Sequence, residues 1–389
     1  MANVPSLKVG FVFDDTLDSN DGVAQYVKTL GGWLSGQGHS VSYLVGQTKL
    51  DSWQGGRVYS LAKNVSVRFN GNRLSIPLPA SRKKIDEVLK EERFDILHVM
   101  TPYSPFLAQK IIMGAKAPAV VVGTFHIFPS GWLSRSGSRL LRLAYWRSLP
   151  RFSRIVSVSR PAARFAKQAY GIDSDVIPNP VETARFRLPS KSNSGANSHR
   201  IVFLGRLVKR KGCRQLIEAF SLVHNEYPAS ELVIAGDGPQ RRELENLARE
   251  KGLSEKITFL GYIKEEDKPR LLHSAAVACF PSLYGEAFGI VLIEAMAAGS
   301  GPILAGDNPG YRSVLGDQSQ LLVNPSDTEA FAGRLKTMLA DAGMRRRIMD
   351  WQKKTVGQYD VSEVGKQVLD MYRTEIARQT KKSHNKHHE

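Results

Sequence analysis

Four cations crowd the segment GRLVKRKG, which spans 205–212: Arg206, Lys209, Arg210 and Lys211. The segment follows the apolar run IVFL and opens a stretch with helical spacing. A glycine there lets the backbone turn tightly. A helix N-terminus is already electropositive, so cations beside it make a place for a diphosphate. A solvated basic loop has a similar composition, but the order strand, glycine, cations, helix is harder to reach by chance.

The segment YGEAFGIVLIEAMAAGSGPI carries two carboxylates, Glu286 and Glu294. A helix from Phe288 onward would put Glu286 on the loop before it and Glu294 a little over two turns beyond Glu286. The backbone N–H groups of Phe288, Gly289 and Ile290 would then serve as anion donors. A carboxylate on that loop can accept hydrogen bonds from sugar hydroxyls. Taken singly, Glu286 reads equally well as a helix cap and Glu294 as a surface charge.

His126 follows the apolar run AVVVGTF, at the end of a strand where sites form, although a lone histidine is more often a satisfied loop residue. Gly22 lies in the acidic turn DDTLDSNDGV, before a helical pattern, where a ligand could approach the backbone. GDGP, 236–239, reads mostly as a turn. The sequence contains no H-E-x-x-H, C-x-x-C, G-x-S-x-G or Walker pattern. It defines no metal site.

The elements that must position these residues alternate. LKVGFVF, HSVSYLV, FDILHVM, AVVVGTF and RIVSVS read as short strands with helical patterns between them. A polar stretch rich in Pro, Ser and Asn, VIPNPVETARFRLPSKSNSGANSHR, breaks the series. Then IVFLGRL, ELVIAGDG, ITFLGYI, VACFPSL, GPILAG and QLLVNP resume it. Strand alternating with helix predicts two α/β domains, each with a parallel sheet covered on both faces, and ligands at the carboxyl ends of the strands. The expected division is 1–178 for the first domain and 179–360 for the second. A helix over about 361–378 would pack back on the first, and 379–389 would be a flexible tail.

The 389 residues suit two domains. Hydrophobic residues are 42% and charged residues 23%, which excludes a disordered or fibrous chain. Only two cysteines, Cys213 and Cys279, point to a reducing compartment. No apolar run reaches bilayer-spanning length. MANVPSLKVGFVF passes into a strand without a basic region or cleavage site, so a cytosolic chain is expected.

The net charge is +17 and unevenly placed. From Ile96 to Ile172 there is no Asp or Glu, while Lys110, Lys116 and nine further cations fall there. Such a balance calls for an anionic partner, nucleic acid or membrane. WLSRSGSRLLRLAYWRSLPRF mixes Trp132, Leu140, Leu141, Leu143 and Trp146 with arginines and no acid, the composition of an interfacial helix. Arg82, Lys83 and Lys84 sit at a predicted helix start. No RNA-binding aromatic signature or recognition helix appears, so a membrane surface is favoured over nucleic acid.

In order and spacing, G-R-L-x-x-x-K-G, A-G-D-G-P, F-L-G and E-x-F-G-x-x-x-x-E-A-M-A-x-G resemble the retaining glycosyltransferases of family 4, over nearly the whole chain. The resemblance implies a GT-B architecture, two Rossmann-like domains facing across a cleft. It implies a nucleotide-sugar donor, no tightly bound cofactor, and a Mg2+ requirement that the sequence leaves open. Arg206 and Lys211 would hold the diphosphate, Glu286 the sugar hydroxyls and Glu294 the ribose. Phe288, Gly289 and Ile290 would touch sugar and phosphate through their backbone. His126 would sit near the transferred sugar. Gly22 would lie close to the diphosphate, with Asp21 where the family usually has a second glycine.

Within the family, the stretch SVRFNGNRLSIPLPASRKKIDEVLKEERFDILHVMTPYSP followed by GTFH is most similar to actinobacterial phosphatidylinositol mannosyltransferases. YIKEEDK would place Ile263, Glu265 and Lys268 against the base, where a carboxylate can accept from guanine N1–H and N2–H. That favours GDP-mannose, with transfer to a lipid acceptor by a peripheral enzyme on the cytoplasmic face of the membrane. A UDP-sugar donor, glucose or N-acetylglucosamine, with another lipid or inositol-phosphate acceptor, stays open beside it. A non-enzymatic basic binding protein is disfavoured by the full set of donor motifs.

Overall fold

The computed structural model describes residues 5–19, 21–69, 72–78, 80–102, 104, 106–127, 145, 147–188, 199–299 and 301–386. The chain divides into two compact units, Met1–Pro180 with Val361–Glu389, and Val181–Asp360. The sequence puts the first boundary two residues earlier. Trp132, Leu140, Leu141, Leu143 and Trp146, the apolar half of the expected interfacial helix, lie outside the described residues.

The first unit is built on β1 (Lys8–Phe13), β2 (Ser40–Val45), β3 (Ser52–Trp53), β4 (Gly56–Ser60), β7 (Ile96–Val99), β8 (Val120–Phe125), β9 (Arg154–Ser157) and β10 (Asp175–Val176). They form one sheet in the order β10-β9-β8-β7-β1-β2-β4-β3. Every pair is parallel except β3 with β4. Its central strands are apolar along their length because helices cover both faces. A separate hairpin pairs β5 (Asn64–Phe69) with β6 (Asn72–Pro77). The sequence reading assigns no strands there, although Val65, Val67 and Phe69, and Leu74 and Ile76, alternate on either side of Asn70-Gly71, a turn pair that favours a hairpin.

The helices α1 (Gly22–Gly36), α2 (Arg82–Glu92), α3 (Leu107–Gly114) and α4 (Arg160–Tyr170) complete the first half of this unit. The chain's last helix, Val361–Lys386, returns to it: Val364, Val368, Leu369 and Tyr372 share a core with Phe11, Tyr26 and Ile96. This helix runs past the expected end near 378, so most of the segment read as a tail is helical.

The second unit has a six-stranded, all-parallel sheet, β13-β12-β11-β14-β15-β16. The strands are β11 (Arg200–Leu204), β12 (Glu231–Ala235), β13 (Ile257–Gly261), β14 (Val277–Phe280), β15 (Ile303–Gly306) and β16 (Leu322–Val323). In each sheet the strand order reverses beside the first strand, between β1 and β7 and between β11 and β14. A crevice opens at the carboxyl ends where neighbouring crossovers leave in opposite directions, and ligands bind there. The loops that follow β11 and β14 carry GRLVKRKG and the Glu286 segment. The structure therefore brings the two donor-side motifs to one switch point.

Among the described residues no helix is long and apolar enough to cross a membrane. Both cysteines are free and buried.

Candidate active site

Three glycines explain how the second unit closes around its switch point. After β11 the chain makes a single 3-10 turn, Lys209–Lys211, and enters a helix at Cys213–Glu226. Gly212 joins them at φ +71°, and a Cβ there would lie 2.0 Å from the Pro281 carbonyl oxygen. Gly236 (φ +131°) would press a Cβ to 1.9 Å from the Gly205 oxygen. GDGP is thus more than a turn: it packs directly on the cationic loop. Gly310 lies against the backbone of Glu286, its virtual Cβ 2.1 Å from that residue's oxygen. Gly212→Ala should cost about 2 kcal/mol or more, because backbone rather than a movable side chain is in the way. Thermal unfolding of the second unit should show a drop of about 5 °C. An unchanged midpoint would mean the loop has another packing.

These contacts hold Glu286 over the cations. Its Oε1 is 2.7 Å from Arg210 Nη1 and 2.8 Å from Lys211 Nζ, with all three side chains less than a fifth exposed. Burial alone would raise the Glu286 pKa, but the Lys211 and Arg210 charges overcome it and hold it below the ordinary carboxylate value. Burial lowers the Lys211 pKa, and Arg210 and Arg206 add to this, while Glu286 opposes it. Ser282 in the preceding loop is fixed by Tyr311, whose hydroxyl lies 3.0 Å from its Oγ, and by Asn308 Nδ2, which donates to its carbonyl at 3.0 Å. Glu286 is therefore a positioned, charged partner of the cationic loop and not a helix cap. The sequence counts Arg210 among the cations of the loop but assigns it no partner; that partner, Glu286, lies 76 residues away.

The helix after Glu286 is Ile290–Ala298, two residues later than expected. Gly289 precedes it at φ +149°, and no side chain caps its end. Phe288 is buried with its ring 5.7 Å from that of Tyr359, which fixes the turn below the helix. Glu294 is buried one turn inside. It is 3.5 Å from Lys268 Nζ, which is 2.7 Å from Glu265, itself 3.8 Å from Arg185. Burial raises the Glu294 pKa and Lys268 only partly offsets this. Burial disfavours the Lys268 charge, but Glu294 and Glu265 outweigh that and leave its pKa raised. The residues expected at ribose and base thus form one ion network, beside a half-buried Ile263.

In the first unit, His126 directly follows β8 and is buried, and its Nε2 has no hydrogen-bond partner. Its ring meets Tyr26 edge-on at 4.9 Å. Burial pushes its pKa down to about 3, so it stays neutral. Behind it His98 is fully buried, 2.5 Å from the Tyr372 hydroxyl and 2.7 Å from the Thr124 hydroxyl. Asp14, at the end of β1, accepts from Ala108 N at 2.8 Å and from Ser104.

Gly22 lies beside a capping carboxylate. It opens α1, and the Asp21 carboxylate accepts from Val23 N at 2.9 Å and Ala24 N at 3.1 Å. A carboxylate already occupies the helix end, where a diphosphate would be repelled.

The acid-free window is also less free than its sequence suggests. Arg151 donates to the Ile112 and Ala115 carbonyls, Arg154 pairs with Asp175 and Glu375, and Lys167 pairs with Asp173. Folding supplies acids and carbonyls from outside the window or from its own helix ends. Helix α2 buries Ile85 and Val88 and leaves Arg82, Lys83 and Lys84 exposed, with no acid in its first turn; Arg82 pairs with Asp86 one turn on, at 3.1 Å. Among the described residues no cluster of His, Cys, Asp and Glu could hold a metal ion.

Comparison with known proteins places this geometry. Residues 20–185 match Glycosyltransferase Family 4 and residues 185–355 match Glycosyl transferases group 1. The phosphatidyl-myo-inositol mannosyltransferase of Mycolicibacterium smegmatis is 32% identical over 376 residues, covering 95% of this chain and 94% of that protein. The one from Propionibacterium freudenreichii is 30% identical over 378 residues, 94% of each. A glycosyltransferase of Rickettsia africae ESF-5 superposes with TM-score 0.76 at 18% identity, over 96% of this chain and 99% of that one. Anabaena Alr3699/HepE in complex with UDP does so with TM-score 0.76 at 18% identity, over 95% and 100%. With its two Rossmann-like sheets and its donor motifs gathered at one switch point, the chain belongs to the family 4 glycosyltransferases of GT-B fold.

Proposed function

We propose that the enzyme moves mannose from GDP-mannose to a phosphatidylinositol-type lipid, with retention at the anomeric carbon, on the cytoplasmic face of the membrane. The observation that carries the donor half is the buried Glu286 carboxylate held by Arg210 and Lys211 at the switch point. The mannosyltransferase relatives support the sugar and the acceptor.

Arg206 and Lys211 bind the diphosphate and counter the charge that grows on it as the bond to the sugar breaks. Glu286 accepts from sugar hydroxyls, and the backbone of Phe288, Gly289 and Ile290 donates to sugar and phosphate. Glu294 holds the ribose. Glu265, beside Lys268 and Ile263, accepts from guanine. The acceptor hydroxyl attacks the anomeric carbon on the face the diphosphate leaves. The carbon–oxygen bond to phosphate breaks, and the departing diphosphate oxygen takes the hydroxyl proton. His126, kept neutral by burial, offers a hydrogen bond to the sugar, and its buried Nε2 gains a partner thereby. The exposed Arg82, Lys83 and Lys84 support contact with anionic lipid.

The test is turnover of a panel of GDP- and UDP-sugars with and without phosphatidylinositol vesicles. GDP-mannose turnover that rises with the vesicles is the expected result. Turnover with a UDP-sugar alone would overturn the role given to Glu265 and the choice of acceptor.

A further inference from the structure

Glu286 and the cationic loop neutralise one another. Yet the donor asks both for the same groups: its phosphates need the cations, and its sugar needs the carboxylate. Lys211 and Arg210 each lie within 2.8 Å of a single carboxylate oxygen, with side chains 17% and 18% exposed. Arg206 is close enough to Lys211 to disfavour its charge. Two cations thus hold one carboxylate, with Arg206 near Lys211. A diphosphate seated on Arg206 and Lys211 would bring two or more negative charges beside Glu286 at low local dielectric, and repulsion there is strong.

We propose that Glu286 is the internal counter-anion of the donor-site cations, that Arg210 is the positioning residue that keeps it there, and that the donor diphosphate takes these cations from it. This rests on the donor-site reading above. The released carboxylate keeps its hydrogen bond from Ser282, and sugar hydroxyls must supply the rest of its compensation. An intact nucleotide sugar supplies them; the nucleoside diphosphate product does not. Glu286 therefore favours substrate over product: it weakens the grip on the nucleoside diphosphate once the sugar has left, and Arg210 draws the carboxylate back.

Binding of inorganic pyrophosphate and of GDP, measured by titration calorimetry on the full chain, tests this. Glu286→Gln removes the competing charge, so pyrophosphate and GDP should bind about tenfold more tightly than to the wild type. The preference for GDP-mannose over GDP should shrink at the same time. Should Glu286→Gln fail to fold, Glu286→Asp keeps the charge but shortens its reach, and pyrophosphate should then bind several-fold more tightly. Arg210→Gln should lower kcat more than it raises the donor KM, with Arg210→Lys recovering part of the loss. Pyrophosphate affinity that is equal or weaker in the Glu286 variants would overturn the exchange while leaving the donor site in place. No binding of GDP or pyrophosphate to the wild type would overturn both.

Discussion

Lys211→Met should lower sugar transfer by about 10²- to 10³-fold, the cost typical of removing one preorganised group that stabilises charge in a transition state. Two losses combine. The leaving diphosphate is deprived of a buried cation that burial has already stripped of water, so bulk solvent does not replace it. Glu286 meanwhile keeps Arg210, at 2.7 Å, and its hydrogen bond from Ser282, and a carboxylate with little exposure loses one of its two paired cations. Breaking a buried pair from one side costs about 3 kcal/mol. The second unit should therefore melt several degrees lower as well, and GDP should bind more weakly. Lys211→Arg should not restore activity, because a planar guanidinium is larger and directs its donors differently from a compact ammonium. Steady-state kinetics with melting and GDP titration on the same preparations separates these effects. Transfer within tenfold of the wild type would remove Lys211 from the reaction.

The fold was legible because the central strands of both sheets are parallel and buried: strands such as VVVGTF and ELVIA stand out as apolar runs between helical patterns. The cationic loop was legible because Gly212 and the cations lie within one short segment. The hairpin of β5 and β6 was legible too, in Val65, Val67 and Phe69 and in Leu74 and Ile76 alternating on either side of Asn70-Gly71, but a reading in terms of parallel strands and helices passes over it. Long-range partners, by contrast, carry no spacing at all. Nothing in the sequence joins Arg210 to Glu286, or His98 to Tyr372 across 274 residues. Asp21 shows the converse. Its role as an N-cap is a local matter of one side chain and two backbone N–H groups, and there local geometry outweighs the phosphate site that the resemblance suggests.

Acidification should loosen the first unit between pH 7 and pH 5, and His98 should account for much of the change. Burial, and then the neighbouring His126, pushes the His98 pKa to about 3, and burial does the same to His126. Their unfolded values are near 6.5. As pH falls below 6.5 the unfolded chain takes up two protons that the folded unit refuses, so stability present above 6.5 is lost toward pH 3. At pH 5 each histidine accounts for about 2 kcal/mol of that loss. Asp14 works the other way. Burial, opposed by its bonds to Ser104 and Ala108, leaves its pKa raised to about 6 from 3.8. It is protonated in the folded unit before the unfolded chain, so falling pH through 6 returns about 1 kcal/mol at pH 5. The histidines outnumber and outweigh it, and the net change is a loss of about 2–3 kcal/mol. His98→Gln keeps a polar, uncharged group between the Tyr372 and Thr124 hydroxyls. It should lower stability at pH 7.5, where the fitted ring is lost, yet flatten the net decline toward pH 5 by about two-thirds. Hydrogen exchange of backbone amides in β1 and β2 during urea unfolding reports on this unit alone. The same decline in wild type and His98→Gln would mean that the buried imidazole is not the group that senses the proton.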